Sequence, residues 1–200
     1  MQYFDSLPKI IQRDSVGVAR IFTNLMARVS IKPNVLLNPL VYYTYDIQEG
    51  DTPEIIAHKY YGDSYRYWVI LFANELLDPQ WNWPMDGKVF SNYLTNKYGD
   101  LYSLYSTIHH YEKTLTQYDV NTNTTTKNTV EIDEDTYNGL IEITNTYTLP
   151  TGIITVTVSK DAISIYDYEL KLNESKRNIK ILNSIYVDQL ETEFKNLMSV

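Results

Sequence analysis

The stretch GDTPEIIAHKYYG, residues 50–62, decides the fold prediction for its part of the chain. Thr52 supplies a hydroxyl that can cap a helix, and Pro53 follows at the first helical position, where its missing N–H is tolerated. Gly62 comes where the helix must stop, because glycine adopts the left-handed conformation of a helix end without strain. These signals predict a helix that begins after Thr52 and ends at Gly62.

The residues on either side extend this helix into a small motif. Residues 43–47 alternate between apolar and polar side chains, which predicts a short strand. Residues 68–76 place apolar side chains at i, i+3, i+4 and i+8, which predicts a second helix that ends before Asp78 and Pro79. Residues 88–90 follow a glycine and are predicted to return as a second strand. The expected fold is therefore α+β, with a β-α-α-β arrangement in residues 43–92.

The same region carries the pattern of a known module. The matching residues are Gly50, Asp51, Thr52, Ile56, Ala57, Tyr60, Tyr61, Gly62, Trp68, Asn74, Asp78 and Pro79. In this order and at these spacings they resemble the LysM module, a small β-α-α-β domain. The resemblance implies that they have structural roles, and that Trp68 lies in the module's core.

The flanking residues resemble a larger family. The matching segments are Asn82-Trp83-Pro84, Lys97-Tyr98-Gly99, His109-His110-Tyr111-Glu112, Tyr168, Asn173-Glu174 and Lys176-Arg177. With the module, they are similar to the baseplate wedge subunit of contractile-tailed bacteriophages. The resemblance implies a structural virion protein that is assembled in the host cytoplasm and joins wedges around the central hub. It also implies partners among the other wedge proteins and the subunit that initiates the sheath.

Glycan binding is the alternative function, because many LysM modules bind N-acetylglucosamine polymers such as peptidoglycan or chitin. Such modules are usually exported and often repeated, whereas this chain contains one copy and its first residues do not read as a signal peptide. Trp81 and Trp83 follow the second predicted helix, where they could stack on a sugar or pack against protein. We expect them to form an interface or to pack within the domain, and both are candidate interface residues.

The remaining residues predict flanking regions on both sides of the module. Residues 1–42 are expected to pack against a partner or against another domain. One amphipathic helix is predicted over residues 18–26, and the rest of the segment is expected to run extended over its neighbour. Residues 93–200 are expected to form an α+β region. This region includes a Thr-rich hairpin over about residues 119–161. Residues 121–129 are nearly all Asn and Thr and are expected to form an exposed loop or a hairpin tip. Residues 141–147 and 154–158 alternate as two strands with a turn at residues 150–152 between them. A strand over 166–172 then returns through 179–181, and a terminal helix follows over 187–197.

Composition excludes several classes of function. The chain has no cysteine, which removes disulfides, thiolate metal sites and cysteine nucleophiles. A formal charge of −8 argues against nucleic acid as a partner, because phosphate binding uses clustered Lys and Arg. No apolar run is long enough to span a membrane. The 19 tyrosines are amphipathic side chains that favour half-buried positions, as found at protein interfaces.

The residues that could support catalysis do not form a recognisable set. His109, His110 and Glu112 are residue types that bind metals. Neighbouring side chains point to opposite faces of a strand and lie about 100° apart on a helix, so this motif cannot supply three convergent ligands and no metal site is predicted. The run Asp133-Glu134-Asp135 is expected to be a solvated turn, because glycoside hydrolysis needs two carboxylates held across a cleft. We therefore predict no cofactor, no catalytic residue and no enzymatic activity.

Overall fold

The computed structural model describes residues 3–13, 15–32, 35, 38–150 and 152–198. The strands are β1 (Lys9–Arg13), β2 (Ala19–Thr23), β3 (Tyr42–Asp46), β4 (Ile108–Asp119), β5 (Thr124–Ile132), β6 (Ile143–Leu149), β7 (Gly152–Ser164) and β8 (Asn178–Leu182). The α-helices are α1 (Pro53–Tyr61), α2 (Tyr67–Ala73), α3 (Pro79–Asn82), α4 (Gly87–Tyr98), α5 (Glu134–Gly139), α6 (Ile165–Glu174) and α7 (Val187–Met198). The predicted α+β class is confirmed.

The chain divides into two compact units. The first unit is formed by Met1–Asp86 together with Ser175–Val200, and the second unit by Gly87–Glu174. The chain thus leaves the first unit after α3 and returns to it before β8. These limits differ from the predicted boundaries at residues 42 and 92, and a separate domain over residues 43–92 stays a prediction.

Helix α1 begins and ends as its sequence predicts. The Thr52 hydroxyl accepts a hydrogen bond from the Ile55 N–H at 3.3 Å, and Pro53 occupies the first turn. Gly62 adopts a φ of 70° and donates its N–H to the His58 carbonyl at 3.0 Å. Because a residue with a Cβ would be strained at this φ, Gly62 fixes the end of the helix.

The partner of strand β3 comes from the far end of the chain. β3 pairs antiparallel with β8, from Tyr42 opposite Leu182 to Asp46 opposite Asn178. The prediction of a returning strand at residues 88–90 is wrong, because these residues lie in helix α4. That helix buries Phe90 and Leu94, which are four residues apart and therefore on one helical face.

The predicted strand over residues 166–172 is also wrong. These residues form helix α6, which buries Glu169 and Asn173 on one face. Ser164 precedes this helix and accepts a hydrogen bond from the Asp167 N–H at 3.0 Å, while its hydroxyl donates to the Asp167 carboxylate at 2.7 Å. This cap favours a helix over the strand that alternation alone suggested.

The amphipathic helix predicted over residues 18–26 is replaced by a β-hairpin. β1 and β2 pair antiparallel, with Ile10 opposite Phe22 and Ile11 opposite Ile21. The strands connect through Gly17, which adopts a φ of 84°. The β-branched side chains of this segment favour a strand, and the helical spacing of its apolar residues was coincidental.

The second unit contains a four-stranded antiparallel sheet in the order β5-β4-β7-β6. The expected pairing of residues 141–147 with residues 154–158 is seen between β6 and β7, but β4 and β5 extend it into a larger sheet, so residues 119–161 do not form a single hairpin. The polar tip predicted over residues 121–129 is shorter than expected, because Thr124 already begins strand β5. Threonine is β-branched, so a Thr-rich segment can pair in a sheet despite its polarity.

The core of the first unit is built around the two central helices, the β3–β8 pair and the terminal helix. Its buried members include Ile56, Ala57, Trp68, Val69, Ile70, Ile181, Val187 and Phe194. Trp68 packs against Phe194 with ring centroids 5.0 Å apart. The terminal helix predicted over residues 187–197 is present as α7. It packs against the core through Val187, Phe194 and Met198.

Candidate interaction surfaces

The residues of the LysM-like pattern take structural positions at the start of α1. The Asp51 carboxylate accepts hydrogen bonds from the Tyr45 hydroxyl at 2.6 Å and from the Gln48 N–H at 3.1 Å. Gly50 adopts a φ of 82° in the same turn. Asp51 therefore fixes the connection between β3 and α1.

The aromatic and aliphatic residues of the pattern divide between core and surface. Ile56, Ala57 and Trp68 are buried, and Trp68 is only 4% exposed. Tyr61 is also buried, and burial raises the pKa of its hydroxyl. Tyr60 is more exposed and contacts the Tyr45 ring edge-on, so the pattern contributes mainly to the core.

The later residues of the pattern end helix α2 and begin helix α3. Asn74 follows α2, and its side chain forms hydrogen bonds with strand β8. Asp78 precedes α3, and its carbonyl accepts the N–H of Asn82 at 2.8 Å. Pro79 occupies the first turn of α3. These positions again fit structural roles.

The two tryptophans predicted to form an interface differ in environment. Trp83 packs against the core, and its Nε1–H donates to the Asp51 carbonyl at 2.9 Å. Trp81 is 51% exposed, and its carbonyl accepts a hydrogen bond from Lys176 Nζ at 2.7 Å. Trp83 thus stabilises the motif, whereas the Trp81 side chain is accessible for contact.

One face of the four-stranded sheet is covered with hydroxyl groups. Residues directly opposite in adjacent strands point to the same face, which places Thr114 beside Thr129 and Thr144 beside Thr157. Their hydroxyl oxygens are 3.0 Å and 3.1 Å apart, respectively. The Thr-rich composition of residues 114–157 therefore forms an ordered polar surface.

The opposite face of this sheet, called the apolar face below, carries an exposed apolar group among polar residues such as Lys113 and Asn128. Leu115, Val130, Ile143 and Tyr147 share that face, and they remain between 38% and 54% exposed. An exposed apolar group of this kind marks a surface for contact with another protein. Sequence alternation predicts the strands of the β6–β7 hairpin, but it does not show that this face stays open.

Three of the flanking residues that resemble the wedge family, His109, His110 and Tyr168, are in contact at the start of β4. A β-bulge between Ile108 and His110 interrupts the alternation, and the Nδ1 atoms of His109 and His110 lie 2.8 Å apart. The expectation that these imidazoles point to opposite faces is therefore wrong. His109 also stacks on Tyr168 with ring centroids 3.8 Å apart.

His110 continues this cluster toward a carboxylate. Its Nε2 lies 3.1 Å from the Glu112 carboxylate, which also accepts a hydrogen bond from Lys171 Nζ at 3.0 Å. The bonds from His110 and Lys171 hold the pKa of Glu112 below its ordinary value. Because the Glu112 carboxylate accepts at His110 Nε2, a neutral His110 ring carries its proton on Nε2. Its Nδ1 is then an acceptor, and His109 Nδ1–H is the donor to it.

A buried ion pair in the second unit could not be recognised from the sequence. Glu169 is 4% exposed, and its carboxylate accepts hydrogen bonds from Lys97 Nζ at 2.7 Å and the Tyr98 hydroxyl at 2.6 Å. Burial raises the pKa of Glu169, but the bonds from Lys97 and Tyr98 outweigh burial and lower it. These residues link α4 to α6.

The acidic run at residues 133–135 begins a helix instead of forming a turn. Asp133 caps α5 by accepting the Thr136 N–H at 2.9 Å. Among the described residues, no three His, Asp or Glu side chains form a group that could hold a metal ion. Within the same ranges, none of the helices combines the length and apolar character needed to cross a bilayer.

Comparison with known proteins identifies the family. No curated protein gives a significant match to the chain. Residues 4–199 match the family described as base plate wedge protein 53. This match covers nearly the whole sequence, including both compact units. The chain therefore belongs to the phage base plate wedge protein 53 family.

Proposed function

We propose that this protein is a structural component of a phage tail baseplate wedge that joins or clamps wedge subunits around the central hub during tail assembly. The match of residues 4–199 to the wedge family carries the proposal. Family membership supports a non-enzymatic role and a location in the tail baseplate of the virion. Assembly would take place in the host cytoplasm before the particle is released.

The exposed surfaces of the protein support a role in assembly. The apolar face of the sheet and the exposed ring of Trp81 offer contact areas on different units. Exposed apolar patches are characteristic of proteins that function inside a complex. The partners that we propose are other wedge proteins and the baseplate subunit that initiates the sheath.

We also propose that the first unit contains a LysM-like module reused for protein contact. Strand β3, helices α1 and α2 and strand β8 follow the order β-α-α-β, with β8 antiparallel to β3. In this interpretation, the second unit is an insertion between the second helix and the second strand. The position of Asn74 against β8 supports it, because this motif residue links those two elements.

Glycan binding is less well supported. Sugar-binding surfaces use exposed aromatic rings, but Trp68 is buried and Trp83 is packed against the core with its Nε1–H bonded. Of the three tryptophans, Trp81 alone presents half of its surface to solvent. A single exposed tryptophan is a weak basis for a glycan groove.

Reconstitution tests the structural function. The purified full chain is mixed with each purified wedge protein of the same phage, and the mixtures are separated by size-exclusion chromatography. We expect the chain to elute in a larger complex with at least one wedge protein. If it elutes alone with every wedge component, singly and together, the proposed function is wrong.

A further inference from the structure

The N-terminal hairpin projects from a fixed base. Leu7 is buried in the core of the first unit just before β1, and Ala27 packs against the same core after β2. Between these anchors, every residue of β1 and almost every residue of β2 is exposed. Two-stranded hairpins are marginally stable in water, so a hairpin held in this way gains stability from a surface that covers it.

One face of the hairpin combines an apolar centre with cations. Ile11 and Ile21 lie opposite each other and are 73% and 72% exposed. Lys9 and Arg13 occupy the same face, two residues before and after Ile11. An apolar centre with charged neighbours matches the anatomy of a protein interface, where an apolar core is surrounded by a polar rim.

The charge of this region is opposite to that of the rest of the chain. Residues 1–40 contain five Lys or Arg and two Asp, whereas residues 41–200 contain 12 Lys or Arg and 23 Asp or Glu. A basic segment on an acidic protein selects a negatively charged partner by electrostatic complementarity. The partner surface should therefore contain carboxylates around an apolar area.

We propose that the face of Lys9, Ile11, Arg13 and Ile21 docks on an acidic, apolar-centred surface of another baseplate wedge protein. This inference rests on the proposed function and identifies the segment and the partner chemistry. A second copy of this chain is the alternative occupant, since its residues 41–200 are acidic, and self-association in the test below distinguishes it. Nucleic acid is disfavoured because the centre of the face is aliphatic.

Two variants of the full chain test the proposal. Lys9→Glu with Arg13→Glu reverses the charge, and Ile11→Thr with Ile21→Thr removes the apolar centre but retains β-branched residues that favour the strands. Lys127→Glu, an exposed charge on the sheet of the second unit, is the matched control. Calorimetry measures binding at about 50 mM and about 300 mM salt. The partners are the purified wedge proteins that form a complex with the wild-type chain in size-exclusion chromatography.

We expect each double variant to bind roughly tenfold more weakly at low salt, and the control to bind like wild type. Charge reversal should also remove most of the salt dependence. If both double variants bind like wild type while the chain still enters the complex, this inference is wrong and the proposed function stands. Hairpin-dependent self-association in sedimentation velocity, without binding to wedge proteins, would also overturn it. Near-UV circular dichroism verifies that each variant is folded.

Discussion

The side chain of Asn74 forms two hydrogen bonds with the backbone of Lys180: Nδ2 donates to the Lys180 carbonyl at 2.7 Å, and Oδ1 accepts from the Lys180 N–H at 2.8 Å. Nδ2 also donates to the Ile70 carbonyl at 2.8 Å. Since Asn74 follows α2 and Lys180 lies in β8, one side chain joins two elements that are distant in sequence. The asparagine of the motif thus fixes the strand that completes the β3–β8 pair.

Replacement of Asn74 by alanine should destabilise the first unit. Both bonds to β8 would be lost, and we expect a loss of about 1–3 kcal/mol in the free energy of unfolding. The comparison variant is Asn74→Asp, which keeps an acceptor for the Lys180 N–H but places a carboxylate against its carbonyl. It should also be destabilised, because it loses the donor. Urea unfolding measures both, and wild-type stability in both variants would contradict the assigned role.

Trp81 and Trp83 should respond differently to substitution. Trp83→Phe removes the hydrogen bond to Asp51 but keeps an aromatic ring, and we expect a loss of about 1 kcal/mol. Trp81→Ala removes a half-exposed ring, so the change in stability should be about 0.5 kcal/mol or less. Thermal unfolding measures both variants. Equal losses would show that Trp81 has a larger structural role than its exposure indicates.

The accuracy of the sequence prediction depended on how local each signal was. Helix α1 was predicted correctly because Thr52 and Gly62 act on neighbouring backbone groups. The partner of β3 was missed because β8 lies more than 100 residues away, and pairing across that distance leaves no local signal. Helix α6 was missed because its alternating tyrosines matched a strand, whereas the burial of Glu169 depends on Lys97 in another helix.

The candidate surfaces were predictable only in part. The sequence identified Trp81 and Trp83 as paired interface residues, but the hydrogen bond from Trp83 to Asp51 depends on the path of the loop after α2. The meeting of His109 and His110 required a β-bulge, which alternation cannot indicate. Whether the apolar face of the sheet stays exposed depends on where all other elements of the chain pack, so no local sequence signal can indicate it.

Glu169 should make the stability of the protein depend on pH in the acidic range. Its folded-state pKa is lowered, so its contribution is complete above its ordinary value of 4.5 and is lost as the pH falls through the lowered pKa. Glu169→Gln should lose about 1–2 kcal/mol at neutral pH, because Lys97 is partly solvated. Its unfolding free energy should then decline less than that of wild type on acidification.

Chemical unfolding between neutral pH and about pH 3 measures this difference. Glu193→Gln, an exposed substitution on α7, is the control and should follow the wild-type curve. Parallel curves for wild type and Glu169→Gln would show that the pKa of Glu169 is the same in the folded and unfolded states, and hence that its hydrogen bonds do not outweigh its burial.

The protein should not sediment with insoluble peptidoglycan. Two of its three tryptophans are buried or bonded within the fold, so Trp81 is the one tryptophan ring that is available to stack on a sugar. After incubation and centrifugation, we expect the chain to remain in the supernatant, while an exported glycan-binding LysM protein appears in the pellet. Sedimentation that chitooligosaccharides compete away would favour the glycan-binding function.

The apolar face of the sheet should contribute to wedge binding separately from its threonine face. Ile143 and Thr144 are neighbours in β6, and strand geometry points them to opposite faces. Ile143→Thr keeps a β-branched residue but removes apolar surface. Because the side chain is already 47% exposed, we expect a stability loss of about 1 kcal/mol or less.

Binding to wedge proteins should nevertheless weaken roughly tenfold in Ile143→Thr, because apolar area is lost from the proposed contact. Thr144→Val is the matched variant: it removes the hydroxyl that faces Thr157 without changing the apolar face. It should bind like wild type. Equal weakening in both variants would mean that binding depends on the integrity of the sheet. Weakening in Thr144→Val alone would place the contact on the hydroxyl face, so this pair of neighbouring positions distinguishes the two surfaces.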